Sequence, residues 1–255
     1  MVITQKSEQE IHNRQLYITK AVFDLCDRHN IRCFLVGGSL LGAVKQQGVL
    51  KGDKDIDIGM LRDDYEKFVK IASGLPEDLC FLEARNNPSY NWLFAKVYQK
   101  GTKLVPKDKP LFGPVTGIYV DINPYDYVSE NEAKRNIELK NAKLKKWFML
   151  LKEKPAENNI RLRFMSIIGK TQTRDRIIDF FSRGHKKTRV VQNIVGGTVK
   201  DRFTTDEIAD LQVINMNGLT FNSPVYNRYL DSNYPGWQTK DMSRTELDKY
   251  EVYYE

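Results

Sequence analysis

Cysteine is scarce in this chain: Cys26, Cys33 and Cys80 are the three in 255 residues. An odd, widely spaced set excludes a disulfide framework, and none of the three is paired closely enough for a zinc site. Cys26 and Cys33 lie among apolar neighbours and are expected to be buried as small hydrophobes. Histidine is equally rare, with His12, His29 and His185 only, and no Ser/His/Asp or Cys/His constellation can be assembled. His12 and His29 are expected at the surface and His185 in a solvated basic loop. Long apolar runs are missing too. The longest, Trp147 to Leu151, is far short of the roughly 20 residues that cross a bilayer. The first residues, MVITQKSEQE, are polar and unlike a signal peptide. The expectation is a cytoplasmic protein. Internal repeats and low-complexity tracts are absent, as is any Arg/Gly-rich tail or basic arm. The net charge of +7 therefore points to an anionic partner without selecting nucleic acid.

What is present is a globular composition, 41% hydrophobic and 29% charged, with periodic segments along its length. Residues 7–29 carry Ile11, Ile18, Val22 and Leu25 at helical spacing, with Asn30 as a stop. Residues 31–36 are a short strand. Gly37 and Gly38 turn the chain, and Ser39 is placed to cap a helix to about Gln47. Residues 54–61 are a strand and 63–73 a helix. Strands are expected at 79–84, 91–99 and 117–122, with Pro124 as a stop. From Glu130 the composition shifts. A long helix is expected over 130–153, ended by Pro155, and a mostly helical segment over 158–182 with Gly169 as a weak point. Residues 183–189 form the basic loop. Val213 to Asn222 is a hairpin around Asn217-Gly218. A short helix starts at Ser223-Pro224. The pattern is an α/β (α+β) fold: a mixed-sheet core over 1–128 and a mostly helical C-terminal region over 129–255.

The densest chemistry lies in residues 37–58, GGSLLGAVKQQGVLKGDKDIDI. Asp53, Asp55 and Asp57 recur at every second position, so along a strand their carboxylates share a face. Like charges held together call for a cation, and oxygen ligands suit a divalent one such as Mg²⁺ or Mn²⁺. Asp121, in an apolar strand where an unpaired carboxylate is costly, is the candidate third ligand. Gly37 and Gly38 let backbone approach a phosphate, and the helix start beyond them supplies free N–H groups and a favourable dipole. Ser39 and Lys45 can add a hydroxyl and a charge. A phosphate cradle followed by a metal strand is apparatus for phosphoryl or nucleotidyl transfer.

These residues resemble a known family. A glycine-rich turn followed by Asp-x-Asp on the next strand is similar to the nucleotidyltransferase-fold signature. More closely, Gly37 to Lys45, Gly48 to Asp57 and Arg62-Asp63-Asp64-Tyr65-Glu66-Lys67-Phe68 resemble the LicD phosphotransferases. The likeness continues at Ala95-Lys96-Val97, Gly101-Thr102 and Tyr119 to Pro124, and returns at Phe221 to Pro224 and Tyr229 to Tyr234. It implies a nucleotidyltransferase-like core that transfers a phospho-alcohol from a CDP-activated donor to a sugar hydroxyl. Donors would be CDP-choline, CDP-glycerol or CDP-ribitol. Acceptors would be a surface glycan (teichoic acid, capsule or lipopolysaccharide) or a lipid-linked precursor. Asp55, Asp57 and Asp121 then match metal-holding carboxylates, Asp53 an accompanying acid, and Lys96 a lysine able to meet a phosphate. Departures are Lys45 for Arg, Lys51-Gly52 for Pro-Trp, Lys54 for the middle aspartate and Tyr234-Pro235-Gly236 for Tyr-Gly-Asp.

A choline headgroup would want an aromatic cage, for which Tyr90, Trp92, Tyr119, Tyr125 and Trp237 are candidates. Lys143 to Lys154, with Leu144, Trp147, Phe148, Leu150 and Leu151, has the composition for peripheral contact with the inner face of an anionic membrane. A core-packed helix with a solvated lysine face is the preferred reading. Two other functions stay open: a nucleotidyltransferase acting on a small molecule, and a non-catalytic binder of an anionic polymer.

Overall fold

The computed structural model describes residues 8–107, 116–151, 173–183, 186–196 and 198–254. Helix α1 (Glu8–Arg28) buries Ile11, Ile18, Val22, Leu25 and Cys26 on the face that the apolar spacing marks. Asn30 ends it in a left-handed conformation, φ 53°. The chain then passes through β1 (Phe34–Leu35), α2 (Gly37–Gln46), β2 (Ile56–Leu61) and α3 (Arg62–Ile71). Next come β3 (Leu79–Leu82), β4 (Ala95–Gln99), β5 (Thr102–Pro106) and β6 (Tyr119–Val128). Helices α4 (Glu132–Leu151) and α5 (Arg174–Ser182) precede β7 (Val190–Gln192) and β8 (Arg202–Thr204). The hairpin β9 (Gln212–Met216)–β10 (Leu219–Ser223), α6 (Asn227–Asn233) and β11 (Tyr250–Tyr254) complete the chain.

The central sheet runs β1-β2-β6-β4-β3, with β7 joining β6 and β8 joining β7. β2 and β6 are parallel and the other pairs antiparallel. The mixed α+β sheet expected from the sequence is therefore present. One apolar core draws on both halves, from Ile11 and Val22 to Phe203, Phe221, Tyr229 and Leu247. A second cluster, including Leu139, Phe148, Ile177, Phe181 and Ile194, lies around α4 and α5.

Four features differ from expectation. Among the described residues the region after 129 is not mostly helical: β7 and β8 extend the central sheet, and β11 pairs with β5. These strands are too short, or too polar, to show a clear alternation. β6 runs through Pro124. Pairing with β4 ends at Ile122 and pairing with β7 starts at Asp126, so the proline falls where that edge of β6 changes partner and its missing N–H interrupts no ladder there. The last helix starts at Asn227, three residues past Pro224. His12 is buried, and its Nε2 donates to the carbonyl of Asp53 at 3.1 Å.

The hairpin forms as expected, with Asn217 and Gly218 both at positive φ (53° and 81°). Cys26 and Cys33 are buried. On α4, Phe148 packs inward while Ile137, Leu144 and Trp147 are exposed. The side chains of Leu150 and Leu151, and the expectations for Pro155, Gly169, His185 and all of 158–172, lie outside the described residues. Among the described residues no helix is long and apolar enough to cross a membrane.

Candidate active site

Strand β1 delivers the chain to a tight turn. Gly37 sits at φ +60°, and a Cβ there would lie 2.8 Å from Asp57 Oδ2. A Cβ on Gly38 would meet Arg244 Nη2 at 2.5 Å and Asp53 Oδ2 at 2.6 Å. Glycine is required at both positions because acidic side chains pack directly on the backbone. The N–H of Gly37 donates to Tyr229 Oη at 3.1 Å, which anchors the turn to α6.

Helix α2 starts at Gly37, so Ser39 lies inside its first turn and is not its cap. Its Oγ accepts the backbone N–H of Asp57 at 2.8 Å, tying α2 to β2. Lys45 sits at the far end of α2, where its Nζ donates to the carbonyl of Trp237 at 2.7 Å. Eight residues of helix at about 1.5 Å each carry it about 12 Å from the turn. Gly37 and Gly38 line the cleft; Ser39 and Lys45 do not.

Register assembles the carboxylates. Asp57 is opposite Asp121 across the parallel β2–β6 pair, and Asp121 is opposite Lys96 across β6–β4. One row of the sheet thus presents Asp57, Asp121 and Lys96 on a common face. Asn123 Nδ2 donates to Asp57 Oδ1 at 3.0 Å. Asp55 joins them from just before β2, reached by the hydroxyl of Tyr119 at 3.4 Å. Asp53 also precedes the strand and lies behind the turn rather than in the cleft. Its Oδ1 accepts the N–H of Lys54 at 3.1 Å, and its Oδ2 is 3.5 Å from Arg244 Nε.

The electrostatics follow from this crowding. Burial, and then the charges of Asp55 and Asp121, push Asp57 well above the usual carboxylate range. Asp121 is raised by burial, against the pull of Lys96. Burial lifts Asp53 to about 7, with Arg244 opposing. Lys54 bonds Asp55 and Lys96 bonds Asp121. Burial disfavours the charge on Lys54, but Asp55, Asp121 and Asp57 outweigh it and hold the ammonium charged.

Residues distant in sequence complete the cleft, of about 320 Å³. Arg244 and Glu246 enter from the segment before β11, and Asp201 from the loop before β8. Asp201 accepts from Tyr125 and, at 3.0 Å, from Tyr229. Tyr229 stacks on Phe203, with ring centroids 4.3 Å apart. Asp53, Asp55 and Glu246 each place an oxygen within 4.8 Å of the others. Of the cleft residues that lie beyond the carboxylate strands in sequence, Tyr229 belongs to a stretch with a sequence signal. Arg244, Glu246 and Asp201 sit in polar loops with no pattern around them.

Residues 30–140, which contain the turn and the carboxylate strands, match the LicD/FKTN/FKRP nucleotidyltransferase domain. That segment is similar to the LicD family. Over 147 residues it is 29% identical to the lipopolysaccharide cholinephosphotransferase LicD of Haemophilus influenzae, covering 53% of this chain and 54% of that protein. It is 37% identical over 54 residues to an uncharacterized protein of Rickettsia typhi, covering 21% and 18% of the two chains. A Rickettsia prowazekii protein, also uncharacterized, is 38% identical over 47 residues, covering 18% of each. The chain thus matches about half the length of the first relative and less of the others. The matched segment ends at 140, so Asp201, Tyr229, Arg244 and Glu246 reach the cleft from outside it.

The aromatic residues expected to form a cage do not gather in the cleft. Trp92 lies under Lys146, Tyr125 bonds Asp201, and the Trp237 indole N–H donates to Asp231 at 2.9 Å. Tyr90 is buried, and Tyr119 lies beneath the Lys96 ammonium at 3.4 Å. The aromatic lining comes instead from Phe94, Tyr229 and Tyr234.

Proposed function

We propose that this protein transfers a phospho-alcohol from a CDP-activated donor to a sugar hydroxyl of a cell-surface glycan or its precursor. The observation that carries this reading is the placement of Asp55, Asp57 and Asp121 beside the Gly37-Gly38 turn in one cleft. The donor set is hard oxygen. Asp57 contacts an amide but, among the described residues, bonds no cationic side chain. That arrangement suits Mg²⁺ or Mn²⁺, with Asp57 central and Asp55 and Asp121 beside it. When bound, the ion supplies charge neutralisation for the donor diphosphate.

The α2 N-terminus gives the diphosphate a positive dipole end, and Gly37 and Gly38 allow its close approach. Lys54 and Arg244 add positive charge to the cleft wall. The acceptor oxygen attacks the β-phosphorus, the bond from that phosphorus to the bridging oxygen breaks, and CMP leaves with that oxygen. The hydroxyl proton passes to a carboxylate on the cleft wall. Asp53, behind Gly38, supports the turn and Arg244 rather than meeting the hydroxyl. Lys96, clamped to Asp121, orients that carboxylate. The donor is CDP-choline, CDP-glycerol or CDP-ribitol, and the acceptor a glycan or lipid-linked glycan. The site of action is the cytoplasm or the inner face of the membrane.

The test is product analysis with each donor and Mg²⁺ or Mn²⁺. CMP release that depends on acceptor supports the proposal. Pyrophosphate release from a nucleoside triphosphate would instead favour nucleotidyl transfer to a small molecule. Metal-independent, steeply salt-sensitive binding of an anionic polymer, without turnover, would favour the non-catalytic reading.

A further inference from the structure

The cleft carries its own cations, and they are distributed unevenly. Arg244 faces Asp53 at 3.5 Å, Lys96 bonds Asp121, and Lys54 bonds Asp55. The Lys54 ammonium also lies 3.6 Å from Glu246 Oε2. It therefore stands between two members of the Asp53–Asp55–Glu246 group, whose oxygens approach one another within 4.8 Å. Asp57, in contrast, bonds only neutral partners among the described residues.

We propose that Lys54 is a tethered cation occupying the place of a second divalent ion, so that the protein takes one metal ion per chain, at Asp57. The inference rests on the metal-dependent reading above. The physical case is charge exclusion. A divalent ion on Asp55 and Glu246 would have to sit within a few ångströms of a half-buried ammonium, where repulsion is weakly screened. A lysine on a four-carbon stem fills such a place without dissociating. It also lines the cleft, so an entering diphosphate would meet a fixed positive charge.

The test counts Mn²⁺ bound to the full chain by calorimetry and electron paramagnetic resonance, without donor. Wild type is expected to bind one ion. Lys54→Gln and Lys54→Met, checked for folding by circular dichroism, are expected to bind two, while Lys54→Arg stays at one. Two ions on wild type, or one on both neutral variants, would overturn the inference and leave the metal-dependent reading standing. No ion on wild type would overturn both. The wild-type count decides between one and two even if a variant fails to fold.

Discussion

Asp53 offers a quantitative test of how the site is built. The residue is 2% exposed, and its carboxyl is lifted from 3.8 to about 7, first by burial and then by Asp55 and Glu246 against Arg244. Folding therefore favours the protonated form. Below the unfolded value both states hold the proton and the residue has no effect. As pH rises from about 4 towards 7 the unfolded chain releases the proton while the folded chain keeps it, so stability is lost. A difference of about 3 units at about 1.4 kcal/mol each gives a loss of about 4 kcal/mol, complete near pH 7. Asp53→Asn keeps the shape and the acceptor for the Lys54 N–H but cannot titrate. Urea denaturation of both proteins in chelator, from about pH 4 to pH 7.5, should show the variant gaining about 4 kcal/mol relative to wild type. A difference that stays constant within about 1 kcal/mol would show that Arg244 keeps Asp53 ionised throughout, and would refute the argument.

Other consequences follow from named contacts. Arg62 grips Asp126 through two bonds of 2.8 and 2.9 Å with both side chains buried; Arg62→Ala leaves a buried charge and should cost about 3–5 kcal/mol in urea denaturation. Tyr229→Phe strips the Gly37 N–H of its acceptor and Asp201 of a donor; a loss of about 1–3 kcal/mol is expected, with weaker donor binding by calorimetry. Unchanged donor affinity would mean that the turn does not hold the donor.

The parts readable from the sequence are those with local physical causes. Alternation along residues 55–58 places Asp55 and Asp57 together, and an apolar strand around Asp121 marks it as a paired carboxylate; the β2–β6 register then unites them. The Asn217-Gly218 hairpin is equally local. Ser39 departs from the expected cap because the helix starts at the glycines themselves, which moves the serine from the cap to an inter-element tie. Lys45 follows the glycines closely in the motif, but the helical rise carries it to the far end of α2, a separation that motif order does not express. Arg244, Glu246 and Asp201 could not be found by pattern, since their roles arise from long-range packing of loops onto the Gly38 turn and Tyr229. The short strands β7, β8 and β11 owe their existence to partners already in place.

The proposed role of Asp57, with Asp55 and Asp121, is to hold the divalent ion on which phospho-alcohol transfer would depend. It is tested most directly by measuring Mn²⁺ binding and CMP release side by side for wild type and Asp57→Ala. The variant is expected to lose measurable Mn²⁺ binding, and its CMP release to fall by about a thousandfold or more, equivalent to about 4 kcal/mol in the barrier. A folded Asp57→Ala protein that binds the ion and releases CMP at the wild-type rate would contradict it.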